Sequence, residues 1–144
     1  MMRRSPRTGS TLVEAAIVLV LFLVILIGIM DVGQMMYFHQ GLTERVRAGA
    51  RYAALHTYDP GVIKNVVSYN STIAPQGGGG GLFGIDPSMV QVPPPYDAGT
   101  ANARIEVCIT GYTMHSVSPW LPANFTPVNT FCAVAPVESA GNAK

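Results

Sequence analysis

The chain has 144 residues, of which 49% are hydrophobic and 12% are charged, and its net charge at pH 7 is +1. This length allows one modest domain with an appendage and excludes a multidomain enzyme. A globular protein carries about 25% charged residues, so the low share here indicates a chain that contacts a membrane. No basic cluster follows the first seven residues, which excludes nucleic acid as a partner.

A run of sixteen residues without a charged or strongly polar side chain covers residues 15–30. Together with residues 11–14 it reaches twenty residues, and twenty helical residues cover about 30 Å, the thickness of the hydrocarbon core of a bilayer. Arg3, Arg4 and Arg7 precede this segment, and Asp31 follows it. The positive-inside rule therefore predicts a single span with a short cytoplasmic N-terminus and an exported C-terminal part.

A cleaved secretory signal would share the basic start and the apolar run. Two features oppose that interpretation: no small-x-small cleavage pattern follows the run, and Glu14 interrupts its beginning. An uncleaved anchor that carries a periplasmic binding domain remains an alternative.

Glu14 places a carboxylate at the edge of the apolar segment, where a charge costs about 2.5 to 3.5 kcal/mol on insertion scales. The carboxylate could simply complement the positive N-terminal end of the helix, and Gly9 could be ordinary loop material. Alternatively, a cut after Gly9 would create an amino group on Ser10, one helical turn from Glu14. This cation could meet the carboxylate of a neighbouring copy.

The short basic leader, Gly9, the glutamate five positions later and the apolar helix together resemble the class III signal peptides of type IV pilins and pseudopilins. The resemblance implies that a prepilin peptidase cuts after Gly9. It also implies that Ser10 becomes the mature N-terminus and that Glu14 acts in assembly. Methylation of Ser10 is left open.

The helical pattern continues beyond the apolar run, and one continuous helix over residues 11–56 would measure roughly 70 Å. Its second half has a stripe of apolar and small residues on one face, namely Leu42, Val46, Gly49, Ala50 and Ala53. Small residues allow close backbone approach. Two packing partners fit the stripe equally well: a sheet of the same domain, or another helix in a filament.

Three segments narrow the resemblance to the TadE-like pseudopilins of tight-adherence (Tad/Flp) secretion systems. They are Val13-Glu14 with its apolar run, residues 28–33 (GIMDVG) and residues 47–54 (RAGARYAA). Residues 104–114 and 118–122 add a weaker similarity to the C-terminal half of the family.

Two positions differ from the family pattern. Ala15 stands where members commonly have phenylalanine, and Val20 stands where they have a proline in the membrane helix. The usual cause of a helix kink is therefore missing.

The resemblance implies a minor pilin or pseudopilin that primes a Tad/Flp pilus or is incorporated into it, with roles in secretion and cell adhesion. Its partners would be the prepilin peptidase, other pilin and pseudopilin subunits, the pilus assembly platform and the lipid bilayer. The expected location is the bacterial inner membrane, with the extracellular pilus as a second one. The choice between initiator and filament component, and the identity of the major pilin, are left open.

The chain is accordingly divided into a leader at residues 1–9, a helix at residues 10–56 and an exported head at residues 57–144. Ten prolines and ten glycines follow position 58, which favours short elements in an α+β fold. Asp59-Pro60 predicts the start of a second helix that ends near Ser71. An antiparallel sheet is predicted from strands at residues 89–92, 105–114 and 130–137, and residues 77–81 are predicted to form a mobile loop.

Cys108 and Cys132 each lie in one of the last two predicted strands. A disulfide between them would close a loop of about 25 residues and stabilise the head by roughly 3 to 4 kcal/mol. Free buried thiols are the alternative.

Catalysis finds little support in the sequence. His39, His56 and His115 are scattered along the chain, and no known catalytic or metal-binding motif is present. We therefore predict no enzymatic activity, no cofactor and no metal. A membrane-anchored enzyme with an unrecognised site is the remaining alternative.

Overall fold

The computed structural model describes residues 8–77, 80–115, 124–125 and 130–137. It contains two helices, α1 (Thr8–Leu55) and α2 (Pro60–Tyr69), and five strands: β1 (Val90–Gln91), β2 (Arg104–Thr110), β3 (Met114–His115), β4 (Asn124–Phe125) and β5 (Thr130–Pro136). The predicted α+β class, a long N-terminal helix followed by a small head, is confirmed. Most of the predicted leader, two glycines of the predicted loop and residues 118–122 lie outside the described residues.

α1 is a single uninterrupted helix of 48 residues, which corresponds to about 72 Å. No proline lies between residues 7 and 59, so no backbone N–H is missing along its length. The helix ends at Leu55, and Asp59, which precedes Pro60, is extended (φ −137°, ψ 103°), as expected for the residue before a proline. At this end the N–H of His56 donates to the carbonyl oxygen of Tyr52 over 3.2 Å.

α2 begins as the sequence predicts. The Asp59 carboxylate accepts hydrogen bonds from the N–H groups of Gly61 (2.9 Å) and Val62 (3.3 Å), and Pro60 occupies the first turn. The helix ends at Tyr69, slightly before the predicted position. The reason is Asn70, which adopts a left-handed conformation (φ 57°) and donates its N–H to the carbonyl oxygen of Val66.

The main sheet is antiparallel with the strand order β1-β2-β5. Along β2 the side chains of Ile105, Val107 and Ile109 are buried on one face of the sheet. The second half of α1 packs on this face against β2 and β5, and α2 packs against α1 and the edge strand β1. The most deeply buried apolar side chains of the resulting core are Leu42, Val46, Ile63, Val67, Ile85, Val90, Ile105, Val107 and Ile109.

One predicted strand is too long. The strand predicted for residues 105–114 ends at Thr110, because Gly111 adopts a positive φ of 70° and turns the chain. Met114 instead starts β3, which pairs with β4 in a separate two-stranded sheet that the sequence did not predict.

The predicted disulfide is present. Cys108 and Cys132 are directly opposite each other in β2 and β5, with their Cα atoms 4.1 Å apart, and their sulfur atoms are bonded. Because side chains alternate along a strand, the disulfide lies on the sheet face away from the helices. It ties the two longest strands together, and Cys132 is exposed there.

The connection from α2 to β1 is more ordered at its end than a mobile loop would be. A Cβ atom on Gly81 would overlap the carbonyl oxygen of Ile85 and lie 2.7 Å from that of Ser68, so no larger residue fits there. Two 3-10 turns follow, Leu82–Gly84 and Pro87–Met89, which the sequence did not predict.

Candidate functional site

The first half of α1 is long and apolar enough to cross a membrane. Its most apolar stretch has a mean hydropathy of 3.1, and none of that stretch is buried within the protein. Large apolar side chains are exposed on all sides of the helix, from Leu12 (73% exposed) to Tyr37 (63% exposed). A helix that is apolar all round is typical of a membrane span.

Glu14 is exposed on this apolar surface. It lines a shallow groove along the helix together with Thr11, Ala15, Val18, Leu19 and Phe22, of which only Thr11 is polar. In the C-terminal direction the next arginine of the helix is Arg45, which is about 46 Å away at 1.5 Å per residue. The carboxylate therefore lies in a strongly apolar setting, far from every arginine that follows it in α1.

The predicted processing site lies at the beginning of the same helix. Gly9 and Ser10 both belong to the first turn of α1. Ser10 and Glu14 are four residues apart, which is about 6 Å along the axis and on the same side of a helix. An amino group on Ser10 would therefore lie one turn from the carboxylate.

The predicted packing stripe is covered by the head of the same chain. Leu42, Val46, Ala50 and Ala53 are at most 3% exposed. Gly49 is also buried, and a Cβ atom there would overlap Cγ2 of Val67 in α2 and lie 3.5 Å from Cγ1 of Val107 in β2. In the single chain, the large apolar surface of α1 that remains open to other subunits therefore lies in its first half.

The exposed side of the second half of α1 is polar. Arg47 forms an ion pair with Glu44 over 3.3 Å, and both side chains are about two-thirds exposed. Such pairs contribute little to stability. Arg45 donates to Oδ1 of Asn70 over 2.8 Å and so links α1 to the C-terminal end of α2.

An aromatic cluster lies where the apolar half of α1 meets the head. The ring of Phe83 packs 5.6 Å from that of Tyr37 and 6.1 Å from that of Phe38, measured between centroids. The hydroxyl of Tyr112 donates to the carbonyl oxygen of Phe83 over 2.6 Å, and burial raises the pKa of Tyr112. Sequence reasoning missed this cluster, although an aromatic pair that closely follows a membrane span is a known interfacial signal.

The described histidines do not form a common site. His39 packs against Phe131 with centroids 5.3 Å apart, and His56 stacks on Tyr52 at 4.0 Å. They are seventeen residues apart on one helix, which separates them by about 25 Å. The side chain of His115 lies outside the described residues.

Within the described part of the chain, one group of potential metal ligands is present, formed by the Glu106 carboxylate and the sulfur atoms of Cys108 and Cys132. Both sulfur atoms belong to the disulfide, and a cysteine binds zinc only as a free thiolate. The Glu106 carboxylate is therefore the one metal ligand that this group can provide.

Comparison with known proteins finds one family match, in the N-terminal part of the chain. Residues 9–51 match the family model described as "TadE-like protein". The matched segment begins at the predicted processing site, contains Glu14 and the whole apolar run, and ends in the buried half of α1, which confirms the resemblance found in the sequence. No curated protein and no solved structure matches the chain.

Proposed function

We propose that this chain is a minor pilin or pseudopilin of a tight-adherence pilus. The TadE-like match supports the broader statement that it is a pilin-like protein related to the Tad pilus. It is processed after Gly9, stays embedded through the first half of α1, and primes the filament or is incorporated into it. Its role is structural, in keeping with a family of structural, non-enzymatic proteins. The alternative is an uncleaved anchored protein whose head binds a periplasmic partner.

The observation that carries the proposal is the position of Glu14. It is the one charged residue between residues 8 and 30, and it is exposed on an apolar surface that no part of the described head covers. A charge near the hydrocarbon region is costly, by about 2.5 to 3.5 kcal/mol at the helix centre on insertion scales. A partner of opposite charge would offset this cost.

Cleavage after Gly9 supplies such a partner. An α-amino group has a pKa of about 7.7 to 8.0, so the new amine on Ser10 would be mostly protonated at pH 7. Ser10 precedes Glu14 by about 6 Å along the helix axis. If a parallel neighbouring subunit is shifted by this distance along the axis, the amine on its Ser10 lies level with Glu14 of the first subunit. Attraction between the two charges is stronger in an apolar environment than in water.

The head gives this assembly an outward-facing part. It is fixed to α1 because the second half of the helix is part of its core. In the proposed orientation the arginines of the leader face the cytoplasm, where the prepilin peptidase cuts, and the head lies outside the inner membrane. Other pilin subunits and the assembly platform then contact the embedded first half of α1.

The intact mass of the protein purified from membranes of a bacterium with a Tad system tests the processing step. We expect a chain that begins at Ser10. Gly9→Val should block the cut, whereas Gly28→Val should be processed normally, because a Cβ atom at Gly28 meets no other atom within 4 Å. A mature protein that retains Arg3, Arg4 and Arg7 would contradict the proposal and favour the uncleaved anchor.

A further inference from the structure

The exposed apolar surface of α1 extends past the end of the apolar run. Ile29, Met30, Val32, Met36 and Tyr37 are all more than half exposed, whereas the side chains of Asp31 and Gln34 are partly buried. The first exposed polar side chains beyond this surface are His39 and Gln40.

The length of this surface fits a bilayer with its headgroups. Leu12 and Tyr37 are 25 residues apart, or about 38 Å along the helix. This value lies between the hydrocarbon thickness of about 30 Å and the full thickness of about 40 to 45 Å. Tyr37 therefore falls in the outer headgroup layer, where tyrosine and tryptophan are enriched in membrane proteins.

The head contributes apolar side chains at the same level. The Leu82–Gly84 turn places Phe83 against Tyr37 and Phe38, and the neighbouring Leu82 is 45% exposed. We call these four residues the base cluster: Tyr37, Phe38, Leu82 and Phe83.

The position of Phe83 is fixed by three features. Its backbone has a φ of 58°, which bulky residues rarely adopt. Its ring lies directly on α1 at Gly41, where a Cβ atom would come within 2.5 to 2.9 Å of three ring atoms. Its carbonyl oxygen accepts the hydrogen bond from Tyr112. An unusual backbone conformation held by its surroundings points to a role for the side chain.

The opposite end of the head has a different character. Tyr96 pairs with Arg104 at the start of β2, whereas Tyr112 follows the end of that strand. The turn between Tyr96 and Arg104 exposes polar residues, among them Asp97, Thr100 and Asn102. In the described part of the head, the turn between Tyr96 and Arg104 thus exposes polar side chains, whereas the end next to the membrane span carries the base cluster.

We propose that the base cluster inserts into the outer headgroup layer, so that the head rests on the lipid surface instead of standing clear of it on a bare helix. Lipid is the occupant because, among the described residues, the cluster continues the row of exposed large apolar side chains of the span, in which Asp31 and Gln34 are partly buried. The inference rests on the membrane insertion assumed in the proposed function, but not on leader cleavage or on assembly. Its consequence is that the head has a fixed orientation relative to the bilayer before any other subunit binds.

Tryptophan fluorescence in vesicles that contain brominated phosphatidylcholine tests the proposal. All test proteins are the full chain with the substitution Trp120→Phe, which removes its one native tryptophan. Single tryptophans are then introduced as Phe83→Trp and, in a separate protein that keeps the Phe83 ring, Leu82→Trp. Tyr96→Trp is the matched control because Tyr96 is exposed at the polar end of the head, and Leu21→Trp reports insertion of the span.

We expect lipids brominated near the headgroup to remove most of the fluorescence of the Leu82→Trp and Phe83→Trp proteins and little of that of the Tyr96→Trp protein. Leu21→Trp should be quenched best by bromine near the acyl-chain end. If Leu82→Trp is quenched no more than Tyr96→Trp while Leu21→Trp is quenched, the proposal is wrong and the span stands. If Leu21→Trp also keeps its fluorescence, α1 is not inserted in the membrane. Both the contact of the base cluster with lipid and the proposed function are then refuted.

Discussion

The two halves of α1 belong to one continuous helix but meet different surroundings. From Leu12 to Tyr37 all large apolar side chains except Ile27 are exposed, whereas Leu42 and Val46 are almost completely buried beneath the sheet and α2. The first half is apolar all round, and the second is apolar on one face only. One helix therefore combines a first half that is apolar enough to cross a bilayer with a second half that forms part of a protein core.

The residue types of the two halves follow from this difference. Leucine, isoleucine and valine dominate residues 15–30, where no neighbouring element of the described chain limits side-chain size. The buried stripe instead contains Gly49, Ala50 and Ala53, because neighbouring elements approach the helix backbone closely. At Gly49 even a methyl group would overlap Val67. Close approach, and not helix propensity, explains a glycine in mid-helix.

The largest expected effect is the loss of piliation when Glu14, but not Glu44, is replaced in α1. Glu14→Leu should leave membrane insertion and the fold of the head unchanged but abolish piliation, because the carboxylate has no structural partner among the described residues of the head. Glu44→Leu, the same change in the second half, removes only an exposed ion pair and should preserve piliation. Filaments can be counted by electron microscopy. Normal piliation with Glu14→Leu would refute the pairing of Glu14 with a neighbouring amine.

A second pair of substitutions compares leucines in the two halves. Leu42→Ala should lower the free energy of unfolding of the head by about 2 to 5 kcal/mol, the usual cost of such a cavity. Leu21→Ala should change it by less than about 0.5 kcal/mol, because Leu21 contributes nothing to the core. Hydrogen exchange of the β2 amides in detergent micelles measures both values. Equal effects would show that the second half of α1 is not the core of the head.

The smallest expected effect concerns the junction of the two halves. Tyr112→Phe removes the hydrogen bond to the carbonyl oxygen of Phe83 and should cost about 1 kcal/mol of head stability. Tyr96→Phe, at an exposed tyrosine, is the matched control and should cost less than about 0.5 kcal/mol. If the two changes cost the same, the bond from Tyr112 does not hold the Leu82–Gly84 turn.

Tyr112 also predicts a dependence on pH. Burial raises its pKa in the folded head, whereas an unfolded tyrosine titrates near pH 10. The contribution of Tyr112 to stability is therefore complete below about pH 10 and is lost as the pH rises through the folded pKa. Tyr112→Phe should make the alkaline decline in stability shallower. The pKa of Tyr96 is raised as well, by its hydrogen bond to Glu106, so part of the decline should remain.

Elements with strong local signals were predictable from the sequence. The uninterrupted apolar run gave the span, Asp59-Pro60 gave the start of α2, and the alternation of Ile105, Val107 and Ile109 gave the buried face of β2. Each of these signals acts over a few residues and survives in the folded chain because tertiary packing agrees with it. The pairing of Cys108 with Cys132 followed from the placement of both cysteines in neighbouring strands.

Features that depend on tertiary contacts could not be predicted. The end of β2 at Thr110 depends on the positive φ of Gly111, and the left-handed Phe83 is held by Gly41 and Tyr112 from distant parts of the chain. For the candidate site, the sequence located Ser10 and Glu14 on one apolar helix, with Gly9 at the end of the leader just before it. It did not indicate which residues of the head lie beside the end of the span, because that depends on how the head folds back onto α1.

The absence of any break in α1 has a mechanical consequence. Each residue of an α-helix advances by 1.5 Å and rotates by about 100°. α1 has no break between Glu14 and the core around Leu42. If the N-terminal end of the helix shifts along its axis or rotates, the whole head therefore moves with it. In the proposed assembly, the axial position at which the Glu14 carboxylate pairs with the Ser10 amine of a neighbour would set the rotation of the subunit about its helix axis. It would thereby set the direction in which the sheet face away from the helices points.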